Sequence, residues 1–159
     1  EEQIKKKFQQ IDKDKSGSIS LQEVTQALKD FECPTQSAKL LLQSITDTQE
    51  IDFTTFQNFY NHIYSFQLAF KSVNKGKPLF KKQLILALDL LNFQPISEAL
   101  IKAIQIKFDP NFNGIEFGEF ISVCSFLLIC NRVIQKFGQG TGKLSVDFNS
   151  LGCIGMWFI

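Results

Sequence analysis

Histidine, tryptophan and methionine each occur once in this 159-residue chain, and its basic and acidic residues nearly cancel. Each scarcity removes a class of function. With His62 as the single imidazole, no Cys–His or Ser–His–Asp set can be assembled, so the chain reads as a non-enzyme. His62 lies in an apolar-patterned segment with no second nitrogen or thiolate close by in sequence, which makes it a packing residue. A net charge of +1, from 17 basic against 16 acidic residues, offers no field for nucleic acid. The run Lys5-Lys6-Lys7 is short and reads as a solvated helix face. The four cysteines (Cys33, Cys124, Cys130 and Cys153) form no CxxC pair and have no His at ligand spacing. They fit reduced, mostly buried thiols in a cytoplasmic protein better than a disulfide framework. The most apolar run, Phe120 to Cys130, is bounded by Glu119 and Arg132 and is too short to cross a bilayer; it is expected to be a core helix. No signal peptide is expected, and because the sequence starts at Glu1 rather than Met, residues upstream are expected to have been removed.

What is abundant is phenylalanine. Seventeen Phe against two Tyr and single Trp and Met mean that Phe supplies the bulk of any apolar groove. With 44% hydrophobic and 21% charged residues, the composition is that of a globular domain.

One segment carries oxygen ligands at a fixed spacing. Asp12, Asp14 and Ser16 stand at positions 1, 3 and 5 of a twelve-residue stretch, with the Ser18 carbonyl at 7, Ser20 at 9 and Glu23 at 12. Ca²⁺ is a hard cation that takes six to eight oxygens at about 2.3–2.6 Å, and Glu23 would supply two of them. Gly17 at position 6 permits the positive φ of the sharp turn, and Ile19 at position 8 is placed to form a short β-bridge with a neighbouring loop. Ile4, Phe8 and Ile11 lie on one helical face before this stretch, as do Val24, Ala27, Leu28 and Phe31 after it. This is the pattern of an EF-hand calcium loop. Serine at position 5 leaves three carboxylates, which predicts a sensor-range affinity on the order of 10⁻⁷ to 10⁻⁵ M.

A single hand rarely buries its apolar face alone, and four further segments repeat the frame with different losses. Ser44 to Thr55 keeps the length and the central Ile51 but places Ser or Thr at positions 1, 3, 5 and 12; it is expected to pair with the first loop and bind nothing. Its Asp47, Glu50 and Asp52 fall at positions 4, 7 and 9, where most point away from an ion. Asn74 to Gln83 is two residues short, lacks any carboxylate and presents Lys75, Lys77, Lys81 and Lys82. Asp109, Asn111, Asn113 and Gly114 match positions 1, 3, 5 and 6, but one residue is missing before Ile115 and Glu119 closes an eleven-residue loop. That loop is either a weak second site, with an affinity of about 10⁻⁴ M, or a turn satisfied by its own Asn113-Gly114 backbone. Gly138 to Asp147 has glycines where ligands should stand and is expected to bind no metal.

The spacing predicts helices near 2–11, 21–31, 36–45, 80–92, 96–107 and 147–157, with Pro34 and Pro95 just ahead of two of them. Two longer helices are predicted from the uninterrupted apolar period at 53–73 and 117–137, each about 30 Å long at 1.5 Å per residue and shared between adjacent hands. The expectation is therefore an all-α domain over 1–159 with eight helices, five hands (near 2–31, 36–65, 60–92, 96–130 and 120–159) and short β-bridges between paired loops. Five is an odd number, so the last hand has no partner within the chain. Its apolar end, with Leu151, Ile154, Met156, Trp157, Phe158 and Ile159, predicts a dimer across a two-fold axis through 137–159.

The complete first loop, the segments Ile51-Asp-Phe-Thr-Thr-Phe56 and Ile115-Glu-Phe-Gly-Glu-Phe-Ile-Ser-Val-Cys124, and the two shared helices make the chain resemble the penta-EF-hand family across essentially its whole length. Its richness in Lys, Gln, Ile, Phe and Asn suggests a divergent protist member. The resemblance implies an all-α fold, homo- or heterodimerisation through the fifth hand, and a Ca²⁺-exposed apolar pocket that recruits target proteins or, peripherally, membranes. The expected location is the cytoplasm, with association to vesicles or granules. The leading expectation is a Ca²⁺-responsive adaptor; the alternatives are a regulatory subunit of a calpain-like protease and a granule Ca²⁺ store, the last weakened by having one or two sites on 159 residues. The short, cationic third hand departs from the family, where that hand is commonly a strong site.

Overall fold

The computed structural model describes residues 2–20, 22–24, 34–48, 50–93 and 96–138. These form α1 (Glu2–Ile11), β1 (Ile19–Ser20), α2 (Thr35–Ile45), β2 (Glu50–Ile51), α3 (Phe53–Asn74), α4 (Lys81–Leu90), α5 (Glu98–Phe108) and α6 (Phe117–Phe137). Residues 22–24 are helical as well. The fold is mostly helical with one small two-stranded sheet, as the periodicity predicts. The helix expected at 21–31 is seen only over 22–24. Of the fifth hand, all residues from 139 on, including the helix expected at 147–157 and Cys153, lie outside the described residues, as does Cys33.

Local chemistry sets the helix starts. The Asp52 carboxylate accepts the Thr55 N–H at 2.8 Å and so caps α3, while the Ser97 hydroxyl accepts the Leu100 N–H at 3.2 Å and caps α5. Glu116 and Glu119 form a reciprocal capping box at the head of α6. At its far end α3 stops where Lys75 turns left-handed, with φ 48°.

Each loop meets its neighbour through one buried aliphatic residue. Ile19 pairs with Ile51 and Ser20 with Glu50 in the antiparallel β1–β2 sheet. In the other half, Leu79 and Ile115 exchange two N–H···O bonds of 2.9 Å as an isolated antiparallel bridge. All four bridging residues (Ile19, Ile51, Leu79 and Ile115) are buried. The bridge expected of Ile19 is present, and the short third loop keeps its own.

Phenylalanine builds the core. Phe8 of α1 meets Phe53 and Phe56 edge-on, with ring centroids 5.5 Å apart in both cases. Phe59, Ile63, Phe66 and Phe70 line the buried side of α3, and Phe70 sits between Phe117 at 5.4 Å and Phe120 at 5.5 Å. Such rings contribute roughly 0.5–1.5 kcal/mol per pair beyond the area they bury. The most extensive helix packing is α6 against α2. Though α6 is long and apolar enough by composition to cross a membrane, its Phe120, Ile121, Val123, Cys124 and Ile129 are wholly enclosed by protein. Burial against α2 and α3 accounts for its apolarity.

His62 is half-buried beside Phe66, with rings 5.8 Å apart, and burial pushes its imidazole pKa below the ordinary value. It packs, as its position suggests. In the basic run, Lys6 reaches Glu2 at 3.4 Å and the Lys7 ammonium lies 5.6 Å from the Tyr60 ring centroid. Cys124 is buried and Cys130 partly so; both are free thiols whose pKa burial raises, which makes them poor nucleophiles.

Candidate metal centre

The first loop wraps around one carboxylate. Asp12 is only 7% exposed, and its two oxygens are each taken by loop backbone. Ser16 donates its N–H to Asp12 Oδ1 at 3.0 Å, and Gly17 donates its N–H to Oδ2 at 3.0 Å. The wrap depends on two left-handed residues, Lys15 at φ 56° and Gly17 at φ 82°. Asp14 Oδ1 accepts the same Ser16 N–H at 3.0 Å, and the Ser16 hydroxyl donates to the Ser18 carbonyl at 2.9 Å. Hydrogen bonds from Ser16 hold the exposed Asp14 carboxyl below the usual carboxylate range, so it stays ionised for a cation.

Glu23 is engaged elsewhere in this structure. Its Oε2 accepts both the N–H and the hydroxyl of Ser20 at 2.9 Å, while Glu23 N–H donates back to Ser20 Oγ at 3.3 Å. This is a capping arrangement for the helical residues 22–24. The carboxylates of Asp12, Asp14 and Glu23 do not converge, and among the described residues no three acidic, His or Cys side chains do. The donor set is all oxygen and fits a hard cation. Glu23 would have to turn from its cap to complete such a set.

The fourth loop repeats this geometry over its first half. Asp109 is 6% exposed; its Oδ1 accepts the Asn113 N–H at 2.8 Å and its Oδ2 the Gly114 N–H at 3.1 Å. Phe112 at φ 55° and Gly114 at φ 92° match Lys15 and Gly17. Glu119 Oε2 accepts the Glu116 N–H at 2.6 Å, as Glu23 does from Ser20. Aligned on the two bridging residues, the missing position falls between Gly114 and Ile115, where Ser18 stands in the first loop. The fourth loop therefore lacks the residue whose carbonyl would serve as the position-7 ligand.

The second loop has exchanged ligands for hydroxyls that close it directly. Thr46 and Thr48 hydroxyls lie 2.9 Å apart, and Thr48 Oγ1 donates to the Glu50 carbonyl at 2.8 Å, copying Ser16 onto Ser18. Asp52 is spent on the α3 cap. Asp47 points outward and accepts from the Arg132 guanidinium of α6 at 2.7 Å. Two things escaped sequence reasoning here: the hydroxyl closure, and the Arg132–Asp47 pair across 85 residues.

Residues 3–33 match the EF-hand domain family. No curated protein matches the chain by sequence. Among solved structures, a homolog of programmed cell death 6 protein from Leishmania major Friedlin superposes with a TM-score of 0.66 and 21% identity, over 98% of this chain and 94% of that one. That neighbour is a penta-EF-hand protein. This chain therefore opens with an EF-hand, has the fold of the penta-EF-hand proteins, and Ca²⁺ is the ion its first hand implies.

Proposed function

From an EF-hand chain of penta-EF-hand fold, we propose a non-enzymatic, Ca²⁺-responsive adaptor whose principal ion site is the loop from Asp12 to Glu23. The observation that carries this reading is the Asp12 carboxylate, buried in a loop whose backbone already turns inward around it. Asp12, Asp14, Ser16, the Ser18 carbonyl, Ser20 and Glu23 would hold the ion, which supplies two positive charges to a loop with three carboxylates. Binding draws Glu23 from the Ser20 cap towards Asp12. That shift is felt at residues 22–24 and, through the Ile19–Ile51 pair, in the second loop.

Asp109, Asn111, Asn113 and Glu119 form a weaker second site, supported by the shared Asp109 wrap and weakened by the missing position 7. The chain is one domain of five hands and eight helices, its fifth hand near 120–159. Residues 137–159 mediate dimerisation, a reading carried by the odd hand count. The free thiols Cys124 and Cys130 suit a reducing, cytoplasmic setting.

Calorimetry with Ca²⁺ on the wild type, Glu23→Gln and Glu119→Gln tests the sites. The wild type should show micromolar binding; Glu23→Gln should lose at least about tenfold in affinity, since one of three carboxylates is gone. Glu119→Gln should leave the tight site intact. Unchanged binding in Glu23→Gln would move the site elsewhere. Unchanged hydrophobic-dye binding and proteolysis on adding Ca²⁺ would end the adaptor reading, and a monomer by light scattering at micromolar concentration would count against the dimer.

A further inference from the structure

Between Asp52 and Asp89 the chain carries no carboxylate, yet it holds Lys71, Lys75, Lys77, Lys81 and Lys82. A stretch of charge +5 within a chain of net charge +1 is a local field, and it is centred on the third loop. Lys81 is paired with Glu98 at 2.8 Å. Lys71, Lys75, Lys77 and Lys82 are exposed and form no ion pair among the described residues. The acidic groups of the partner loop, Asp109, Glu116 and Glu119, accept backbone N–H bonds, and none of them forms an ion pair with these lysines.

Two aromatic rings stand in the same place. Phe80 is 51% exposed at the head of α4, and its ring tip lies over Gly114 of the fourth loop. Phe112, two residues before Gly114, is 68% exposed and is held left-handed, a conformation that a bulky side chain rarely takes. The Leu79–Ile115 bridge holds the two loops side by side, so both rings belong to one end of the hand pair, beside the lysines.

We propose that this loop end is a docking surface for an anionic lipid bilayer, engaged without Ca²⁺. Charge complementarity selects the occupant: flexible ammonium groups suit acidic headgroups, while the rings enter the apolar layer just beneath. An acidic peptide would satisfy the lysines and leave the exposed rings unexplained. The proposal goes beyond the calcium reading and does not depend on it, because the third loop has no carboxylate for an ion.

The test is co-sedimentation of the full chain with vesicles of phosphatidylcholine alone, or with about 30% phosphatidylserine, in EGTA and in Ca²⁺. Binding to the phosphatidylserine vesicles in EGTA is expected, with loss at high salt. The triple variant Lys75→Gln, Lys77→Gln, Lys82→Gln should bind about a hundredfold more weakly. Phe80→Ser with Phe112→Asn should bind several-fold more weakly. Both replacements suit their backbones: Phe80 is a helix cap without a side-chain bond, and Asn tolerates the left-handed region, so the fold should persist by circular dichroism. Glu23→Gln should bind vesicles as the wild type does, which separates this proposal from the calcium site. Equal binding to neutral vesicles, binding only in Ca²⁺, or full competition by soluble polyglutamate with no effect of the aromatic pair would each overturn it.

Discussion

Gly17 and Gly114 hold the same place in their loops and nearly the same backbone conformation, but their surroundings differ. Each has a positive φ that an L side chain adopts at a cost of about 1 kcal/mol. A Cβ on Gly17 would meet nothing within 4 Å, whereas one on Gly114 would stand 2.6 Å from Pro78 Cβ. Pro78 cannot easily withdraw, because Leu79 next to it is bonded to Ile115 in both directions. Gly17→Ala should therefore lower stability by about 1 kcal/mol and Gly114→Ala by about 2–3 kcal/mol, read as urea midpoints at constant m-value. Equal losses would show that the close approach of the third and fourth loops is not limiting. At this scale the sequence is informative about side chains and silent about neighbours. Asp12 and Asp109 are recognisable as position-1 residues from the Asp-x-Asp/Asn-x-Ser/Asn-Gly spacing, while the wrap of loop N–H groups around each is visible only in the structure. Nothing in the sequence says that Glu23 is held by Ser20, or that Thr48 reproduces the bond of Ser16, since both are choices of rotamer.

Helices were the most legible elements, and the reason is periodicity. The repeat Phe56, Phe59, Ile63, Phe66, Phe70 marks α3 without a break, and α1 and α6 run over the spans their apolar spacing predicts. The ends of α4 and α5 fall within two residues of the expected ones, where caps such as Ser97 decide. What periodicity cannot supply is how α6 is fixed on α2. The Ser37 hydroxyl donates to the Gly118 carbonyl at 2.9 Å, and Ser122 donates to Ser37 at 2.7 Å, near the start of both helices. Towards the other end, Arg132 donates to the Gln43 carbonyl at 3.1 Å and to Asp47 at 2.7 Å. Contacts spanning more than 80 residues leave no local signature. The Arg132 side chain is mostly covered and Asp47 mostly exposed, so the pair is screened and the carbonyl bond matters as much. Arg132→Ala should lower stability by about 1 kcal/mol, and Asp47→Asn by less than half of that, because the Gln43 bond survives. A thermal melt of both variants decides it; an Asp47→Asn loss as large as that of Arg132→Ala would make the ion pair the dominant bond.

At the scale of the whole molecule, the described hands fall into two bridged pairs joined by the 22-residue α3, about 33 Å long. Pairing was foreseeable because each loop carries an aliphatic residue at its bridging position, even where every ligand is lost. Stability should respond to Ca²⁺ through the first pair. An ion that binds the folded chain alone stabilises it by RT ln(1 + [Ca²⁺]/Kd), which at 1 mM Ca²⁺ and a Kd of about 10 μM is about 2.7 kcal/mol. For a chain of this size that corresponds to a rise in Tm of roughly 5–10 °C. Glu23→Gln, at least about tenfold weaker, should remove about half of this rise or more, because its carboxylate is the one that must cross the loop to close it. A fourth loop binding at about 10⁻⁴ M would add about 1.4 kcal/mol at the same concentration, and Glu119→Gln would subtract only that share. The two variants thus divide the shift between the hand pairs, and a melt unmoved by 1 mM Ca²⁺ would dismiss ion binding at both loops.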